Sequence, residues 1–398
     1  MWKNVEPAPA DAILGLTEAF KKDPNPNKVN LGVGVYKDDQ GNTPILSAIK
    51  DAERMLVEEQ ATKGYLPIPG DAEYGRSVQE LLFGSNSSVL DEKRAATIHS
   101  PGGTGGLRVG ADLIKKFKPN SNIWVSSPTW ANHKGIFTAS GFSINEYPYY
   151  NPQTKSVDFD AMIESLKKIP AEDVVLLHVC CHNPTGVDLS NDQWDEVIGV
   201  AEEKGWLPFL DFAYQGFGNS LEEDRSAVEK LSKTGLDFLI ASSFSKNLAL
   251  YNERVGALTV VSPSSDESAV AMSHLKKIIR VNYSNPPAHG GLSAKIVLTN
   301  TELREKWLKE LSVMRERIKD MRSSFVKGLR SRGVEQDFSY IVEQRGMFSF
   351  SGLSDSAVEF LKNDKSIYIV KGGRINVAGL TTANIDYVCD AVSEILNI

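Results

Sequence analysis

The chain has 398 residues, more than one hydrophobic core usually organises, so two domains are expected. Hydrophobic residues make up 41% and charged residues 24%, a composition typical of globular proteins and without a biased tract. The net charge is −7 with no strong cluster of lysine and arginine, which argues against a nucleic acid or an anionic membrane surface as the main partner.

The three cysteines, Cys180, Cys181 and Cys389, are too few for a disulfide scaffold, and an adjacent pair can hardly bridge. The Cys-Cys-His spacing suits no tetrahedral metal site, so buried strand cysteines and no bound metal are expected. The first residues resemble neither a signal peptide nor a transit peptide, and no stretch approaches the length of a membrane span. A cytoplasmic location is therefore expected.

Through the middle of the chain, short apolar runs alternate with helical patterns. Residues 192–205 have a helical pattern, with Ser190 or Asn191 as the N-cap and Gly205 as the stop. This alternation predicts an α/β fold whose mostly parallel sheet is flanked by helices, with ligands binding beyond the carboxyl ends of the strands. The runs predicted as strands are AATIHS (95–100), NIWVSS (122–127), VVLLHVC (174–180), LPFLDFA (207–213), FLIASSFS (238–245) and ALTVVS (257–262).

The pattern then changes to one long helix. Its apolar residues recur at steps of three and four: Leu303, Trp307, Leu311, Met314, Ile318, Met321, Phe325 and Leu329. Beyond it, residues 347–353, 366–370 and 373–379 read as short strands, and a helical pattern closes the chain. These elements predict a second, smaller α+β domain.

The first candidate site is the glycine cluster SPGGTGG (100–106), between a predicted strand and an amphipathic helix. Glycines let backbone N–H groups approach an anion, and a helix N-terminus favours negative charge. The run is neither the dinucleotide fingerprint nor a Walker loop. A phosphate site and an ordinary tight turn both remain open on this pattern alone.

The second candidate is a set of polar residues at three successive strand ends. Asn183 follows one strand, Asp211 and Tyr214 the next, and Lys246 the third. Taken singly, these are a turn residue, a structural ion pair and an exposed lysine. Carboxyl ends of parallel strands meet at one sheet edge, where the three would lie together.

Ser243 and Arg254 add an anion-binding pair to this edge. The combined set suits a phosphorylated ring with a basic nitrogen, an acidic hydroxyl and an aldehyde. Pyridoxal phosphate has these groups.

Eight motifs then carry a family resemblance: PGGTG, SPTWANH, CCHNPTG, DFAYQGF, SFSKN, LYNERVG, NYSNPP and GRINVAG. In this order, the chain resembles the class I pyridoxal-phosphate-dependent aminotransferases, the family of aspartate aminotransferases and their aromatic relatives, from end to end. The resemblance implies a fold-type-I enzyme and a homodimer with shared active sites. It implies a large cofactor-binding domain over residues 44–313 and a small domain, from 1–43 and 314–398, that closes over the substrate.

By this resemblance, Lys246 forms the internal aldimine and later shuttles a proton, while Asp211 pairs with the pyridinium nitrogen. Tyr214 and Asn183 would hydrogen-bond the ring oxygen. The other implied cofactor contacts are Gly103, Thr104, Ser243 and Arg254 at the phosphate, Trp130 on the ring, His133 and His178 behind Asp211, and Tyr65 from the neighbouring subunit.

The resemblance also implies the substrate contacts. Arg374 would bind the α-carboxylate, and Arg280 of the neighbouring subunit the side-chain carboxylate, because guanidinium pairs with carboxylate in a bidentate way. The other implied substrate contacts are Val33, Gly34, Trp130, Asn183 and Phe348. The expected reaction is ping-pong transamination between L-aspartate and 2-oxoglutarate, giving oxaloacetate and L-glutamate. The bonds preceding Pro128 and Pro184 are expected to be cis.

Three alternatives remain. Aromatic aminotransferases keep both arginines, so aromatic substrates are the nearest one. Ser243-Phe244-Ser245-Lys246 also fits the S-x-x-K motif of acyl-serine enzymes, with Lys233-Thr234-Gly235 as K-T-G, although the order is reversed and no S-D-N occurs. A non-catalytic binding protein is disfavoured, because no essential position is missing.

Overall fold

A computed structural model describes residues 1–8 and 14–397. The chain divides into a larger compact unit, Pro44–Glu316, and a smaller one that joins Met1–Thr43 to Arg317–Ile398. Within the described ranges, no helix is both long and apolar enough to cross a membrane.

The strands, in chain order, are β1 (Val29–Asn30), β2 (Ala95–Pro101), β3 (Ile123–Ser127), β4 (Ile144–Pro148), β5 (Tyr150–Asn151), β6 (Ser156–Val157), β7 (Val174–His178), β8 (Leu207–Phe212), β9 (Phe238–Ser243), β10 (Val255–Val261), β11 (Phe348–Phe350), β12 (Ile367–Tyr368) and β13 (Arg374–Asn376). The helices are α1 (Leu14–Lys22), α2 (Ser47–Glu59), α3 (Ala72–Phe83), α4 (Ser88–Asp91), α5 (Gly102–Phe117), α6 (Ala131–Ala139), α7 (Phe159–Leu166), α8 (Asn191–Lys204), α9 (Leu221–Asp224), α10 (Ser226–Leu231), α11 (Ser265–Asn282), α12 (Ala288–Thr299), α13 (Thr301–Ser331), α14 (Tyr340–Glu343), α15 (Asp355–Lys365) and α16 (Ile385–Leu396). Short 3-10 turns span Trp2–Asn4 and Val377–Gly379.

A seven-stranded sheet forms the centre of the larger unit, in the order β2-β10-β9-β8-β7-β3-β4. All neighbouring pairs are parallel except those made by β10, which runs antiparallel to β2 and to β9. The predicted mostly parallel sheet is confirmed, with one reversed strand. Because β7, β8 and β9 are adjacent and parallel, their carboxyl ends meet at one edge.

Helices cover both faces of this sheet, which explains why its strands are continuously apolar. On one face, α5 and α11 contribute Leu107 and Leu275 to a core that includes Phe209 of β8. On the other face, α3 lies against β2 and β10, where the Tyr74 hydroxyl donates to the Gly256 carbonyl oxygen at 2.8 Å. The sheet edge is thus held between two packed layers.

Local signals placed several elements correctly. Helix α8 begins after Ser190, whose side chain and that of Gln193 form a capping box, and it ends at Gly205 with a positive φ of 75°. The apolar stripe predicted for the long helix lies on α13, and all eight of its members are buried. The peptide bonds preceding Pro128 and Pro184 are both cis.

The cysteine interpretation needs one correction. Cys180 and Cys181 are buried, but they lie beyond β7, which ends at His178. Cys181 has a positive φ of 54°, and its backbone N–H donates to the Asp188 carboxylate at 2.7 Å. A strand cannot continue through that backbone conformation, so the chain turns here toward Asn183.

The smaller unit contains two short two-stranded sheets, β1 parallel to β12 and β11 antiparallel to β13. In the latter, Phe348 is paired with Asn376 and Phe350 with Arg374. This pairing places the predicted substrate residues Phe348 and Arg374 on adjoining strands.

Candidate active site

The carboxyl ends of β7, β8 and β9 bring together the predicted cofactor residues of the larger unit. Asn183 lies in the turn after β7, Asp211 near the end of β8, and Lys246 in the turn after β9. Tyr214 follows β8 and is buried, as are Asn183 and Asp211. The juxtaposition expected from the strand order is therefore present in the fold.

Lys246 occupies an environment that favours its neutral amine. Its Nζ lies 5.1 Å from the centre of the Tyr214 ring. Although part of the side chain reaches solvent, burial of the amine lowers the pKa of Lys246 from 10.5 to about 8. The Asp211 charge opposes this shift and the Arg254 charge adds to it. A fraction of the amine is consequently unprotonated near neutral pH.

Asp211 is held as a carboxylate despite being only 7% exposed. Burial acts to raise its pKa, but the hydrogen bond from His133, together with the nearby positive charge of Lys246, outweighs burial and holds the pKa of Asp211 below its usual range. His133 Nε2 lies 3.0 Å from Asp211 Oδ2. Position 211 therefore presents a negative charge at the sheet edge at neutral pH.

A threonine links the two histidines behind Asp211. Thr129 Oγ1 lies 2.8 Å from His133 Nδ1 and 3.2 Å from His178 Nε2. Burial, with a smaller contribution from His133, lowers the pKa of His178 to about 3, so His178 is neutral. If His133 donates from Nε2 to Asp211, the chain His178 N–H to Thr129 O–H to His133 Nδ1 satisfies every group in it. This arrangement orients the ring that binds Asp211.

The glycine cluster lies at a helix start, beside Arg254, that could hold an anion. Gly102 has a φ of +73°, and a Cβ there would lie 2.9 Å from the Arg254 guanidinium carbon. A Cβ on Gly103 would approach Ser243 Cβ to 3.2 Å. Helix α5 begins at Gly102 without a side-chain N-cap, so its first-turn N–H groups, near Thr104, are available to an anion.

Three other residues of the larger unit were predicted to contact the cofactor or the substrate. One lies beside the Asp211 group, and two lie on the surface. Trp130 precedes α6, is half-buried, and stands edge-on to His133 with ring centres 5.2 Å apart. Tyr65 is 94% exposed. Arg280, in the last turn of α11, is exposed and donates from Nη1 to Ser284 Oγ at 2.6 Å. Tyr65 and Arg280 thus project from the surface of this chain.

The predicted substrate residues of the smaller unit form their own cluster. The guanidinium carbon of Arg374 lies 4.3 Å from the centre of the Phe348 ring, and Arg374 Nη2 donates to the Gly32 carbonyl oxygen. A Cβ on Gly34 would lie only 2.5 Å from Phe348 Cζ, so a side chain there would force the Phe348 ring to shift. The Val33 carbonyl oxygen accepts from Asn376 Nδ2 at 2.7 Å.

Two further residues lie at this sheet edge, and sequence reasoning assigned neither a role there. Asn247 directly follows Lys246, and His182 directly precedes Asn183. His182 lies 2.9 Å from Ser126 Oγ through Nε2 and 2.8 Å from Thr185 Oγ1 through Nδ1. Its ring stacks on Tyr149 with centres 4.0 Å apart. These contacts fix the turn that carries Asn183. Sequence offered only the motif position, because Ser126 and Tyr149 are distant from His182 along the chain.

The residues present fit pyridoxal phosphate. An aldehyde needs a partly neutral amine, a basic ring nitrogen needs a facing carboxylate, and a phosphate needs an uncapped helix start with a guanidinium beside it. The larger unit supplies all three at one sheet edge. Its fold and site define the class as a fold-type-I enzyme that uses this cofactor.

Comparison with known proteins identifies the family within that class. Residues 26–392 match the family model described as aminotransferase class I and II. The chain is 50% identical, over 100% of both sequences, to the aspartate aminotransferase of Haemophilus influenzae, and 43% identical over the same shares to the aromatic-amino-acid aminotransferase of Escherichia coli. The crystal structure of the aromatic-amino-acid aminotransferase from Burkholderia pseudomallei, covalently bound to pyridoxal phosphate, superposes with a TM-score of 0.97 at 47% identity, covering 100% of this chain and 99% of that one.

The chain belongs to the class I and II aminotransferases, and its cofactor is pyridoxal phosphate. Its substrates are accordingly small molecules, amino acids and 2-oxo acids. The acyl-serine alternative is excluded by this membership and also by the fold, since Ser243 ends β9 and does not open a helix.

Proposed function

We propose that this enzyme transfers the amino group of L-aspartate to 2-oxoglutarate, giving oxaloacetate and L-glutamate in two half-reactions. The observation that carries the chemistry is the pairing, at one sheet edge, of a Lys246 amine with its pKa lowered to about 8 and an ionised Asp211. The named relative at 50% identity over its whole length supports the acidic substrate pair.

In this proposal Lys246 has two tasks. Its Nζ would hold the cofactor between reactions, and as a free amine the same nitrogen would take up and give back the proton at the substrate Cα. Both tasks require an amine without its proton, which the lowered pKa provides. When bound, the cofactor supplies an electron sink for the negative charge that develops at Cα.

Asp211 would face the ring nitrogen of the bound cofactor and stabilise its protonated form, which that sink requires. A charge-assisted hydrogen bond of this kind is worth about 1.5–3 kcal/mol. His133, Thr129 and His178 hold the carboxylate in position through the hydrogen bonds described above. Tyr214 is proposed to donate to the ring oxygen.

The remaining contacts are assigned in the same proposal. Asn183 would bind the ring oxygen together with Tyr214, and would also contact the substrate. Gly103, Thr104, Ser243 and Arg254 would bind the phosphate, and Trp130 would lie against the ring. Arg374 would bind the α-carboxylate, near Val33, Gly34 and Phe348.

We further propose a homodimer in which Tyr65 and Arg280 act in the active site of the neighbouring subunit. The support is that both side chains are exposed in the single chain, while the family resemblance assigns both to active-site contacts. Arg280 would bind the side-chain carboxylate of the substrate, since guanidinium offers two parallel N–H groups. A cytoplasmic location is proposed because Cys180, Cys181 and Cys389, all within the described residues, form no disulfide, as is usual in a reducing compartment.

The second candidate is transfer from aromatic amino acids, favoured by the superposition on an aromatic aminotransferase. A substrate panel separates the two candidates: kcat/KM is measured for aspartate, glutamate, phenylalanine and tyrosine with 2-oxoglutarate. We expect aspartate to exceed phenylalanine at least tenfold, the effect of about 1.4 kcal/mol in transition-state binding. A higher kcat/KM for phenylalanine would reverse the proposed preference.

A further inference from the structure

The residues that immediately follow Lys246 and Tyr214 are hydrogen-bonded to each other. Asn247 Nδ2 donates to the carbonyl oxygen of Gln215 at 3.2 Å, which joins the turn after β9 to the turn after β8. Asn247 and Gln215 are 2% and 5% exposed, so the bond is shielded from water. Because a carbonyl oxygen can only accept, this bond also fixes which way the Asn247 amide faces.

Both ends of this connection are anchored. Trp307 Nε1, on α13, donates to the Asn247 carbonyl oxygen at 2.6 Å. Gln215 Nε2 donates to the Leu81 carbonyl oxygen at 2.8 Å and to that of Leu221 at 3.2 Å. The contact therefore ties the two active-site turns to α13 and to the end of α3.

The side-chain oxygen of Asn247, Oδ1, takes no part in this hydrogen bond. Asn247 Oδ1 and Ser242 Oγ are buried, have no hydrogen-bond partner among the described residues, and line a cavity of about 10 Å³. The bond to Gln215 is the side-chain hydrogen bond found for Asn247 in the described part of the chain. Replacing Asn247 by leucine, which has a similar volume, therefore removes this one connection.

We propose that Asn247 is a positioning residue that, through Gln215, sets the distance between the Lys246 amine and Tyr214. The inference rests on the proposed roles of those two residues. With the cofactor bound, a Tyr214 hydroxyl that donates to the ring oxygen would draw negative charge away from the Lys246 nitrogen that holds the cofactor. It would thereby lower the proton affinity of that nitrogen. Without the hydrogen bond from Asn247 to Gln215, the turn that carries Tyr214 can move away, and the proton affinity of the Lys246 nitrogen rises.

The test is a pH titration of the visible absorption of the holoenzyme, in wild type and in Asn247→Leu. We expect the midpoint to rise by about one pH unit, because a hydrogen bond to a charged group corresponds to roughly that shift. We expect kcat to fall about tenfold while KM for the amino acid changes less than about twofold, since the substrate contacts are untouched. Trp307→Phe, which removes the indole N–H from Asn247, is expected to shift the midpoint in the same direction, and it carries the test should Asn247→Leu fail to fold.

Gln79→Leu is the matched control. Gln79 is half-buried and donates to the Ala95 carbonyl oxygen at 3.1 Å and to Thr97 Oγ1 at 3.0 Å, away from both turns. The Gln79→Leu variant loses comparable hydrogen bonds, and its visible absorption is expected to titrate with the wild-type midpoint. A folded Asn247→Leu holoenzyme with an unchanged midpoint, or an equal shift in Gln79→Leu, overturns the positioning role. A wild-type protein without a titrating visible band would instead overturn the proposed roles of Lys246 and Tyr214 on which it rests.

Discussion

At the scale of single residues, the site depends on the charges around the Lys246 amine. Burial alone would favour a neutral lysine, but it would favour a neutral Asp211 as well. The structure resolves this conflict by giving Asp211 a hydrogen bond from His133, so the carboxylate keeps its charge while Lys246 loses part of its own. The two groups thus differ in charge state, although burial favours the neutral form of both.

The pH dependence of Lys246 can be predicted with its sign. Arg254 disfavours a second positive charge, so Arg254→Gln should raise the pKa of Lys246 above about 8, while Asp211→Asn should lower it. Each shift should be on the order of one unit or less. Competitive labelling of the cofactor-free protein with acetic anhydride, followed by mass spectrometry of the Lys246 peptide, measures the midpoint. A wild-type midpoint at the ordinary value of 10.5, or shifts in the opposite directions, would contradict the account.

At the scale of elements, the proposed phosphate site depends on the turn that joins β2 to α5. Gly102 adopts a positive φ directly beneath the Arg254 guanidinium, and this close approach leaves no space for a side chain. The turn and the helix start are therefore proposed to act together in binding the phosphate.

Gly102→Ala should weaken pyridoxal phosphate binding at least tenfold, because Arg254 must move to admit the new Cβ. Gly333→Ala is the matched control: Gly333 has a φ of +74° but nothing within 4 Å of its Cβ position. Both variants should lose about 1–2 kcal/mol of unfolding free energy from the positive φ. Cofactor titration and urea unfolding measure the two effects. Equal cofactor affinity in both variants would show that the proposed phosphate site does not depend on this approach.

The sequence predicted those features that depend on residues close together along the chain, and it did not predict those that depend on distant ones. Ser190 and Gly205 act on their own helix, so the limits of α8 could be predicted from neighbouring letters. The family motifs located Asp211, Lys246 and Arg254. The reversed direction of β10, the turn at Cys181 and the contact from Asn247 to Gln215 involve backbone geometry or residues distant in sequence, on which local patterns carry no information.

At the scale of the whole molecule, two separate clusters serve one proposed reaction. The larger unit has the amine, the carboxylate and the proposed phosphate site, and the smaller unit has Arg374 beside Phe348. The side chains proposed to act in a neighbouring subunit, Tyr65 and Arg280, are exposed. The proposed substrate contacts are therefore drawn from both units, with Arg374 in the smaller one and Arg280 in the larger one.

The central claim is that, among all lysines of the protein, Lys246 is the one that binds the cofactor. The most direct measurement is reduction of the holoenzyme with borohydride, proteolysis, and mass spectrometry of the labelled peptide. The account predicts a single modified peptide, carrying the reduced cofactor on Lys246. A cofactor fixed to any other lysine, or no fixed cofactor in a protein that transaminates, would contradict it.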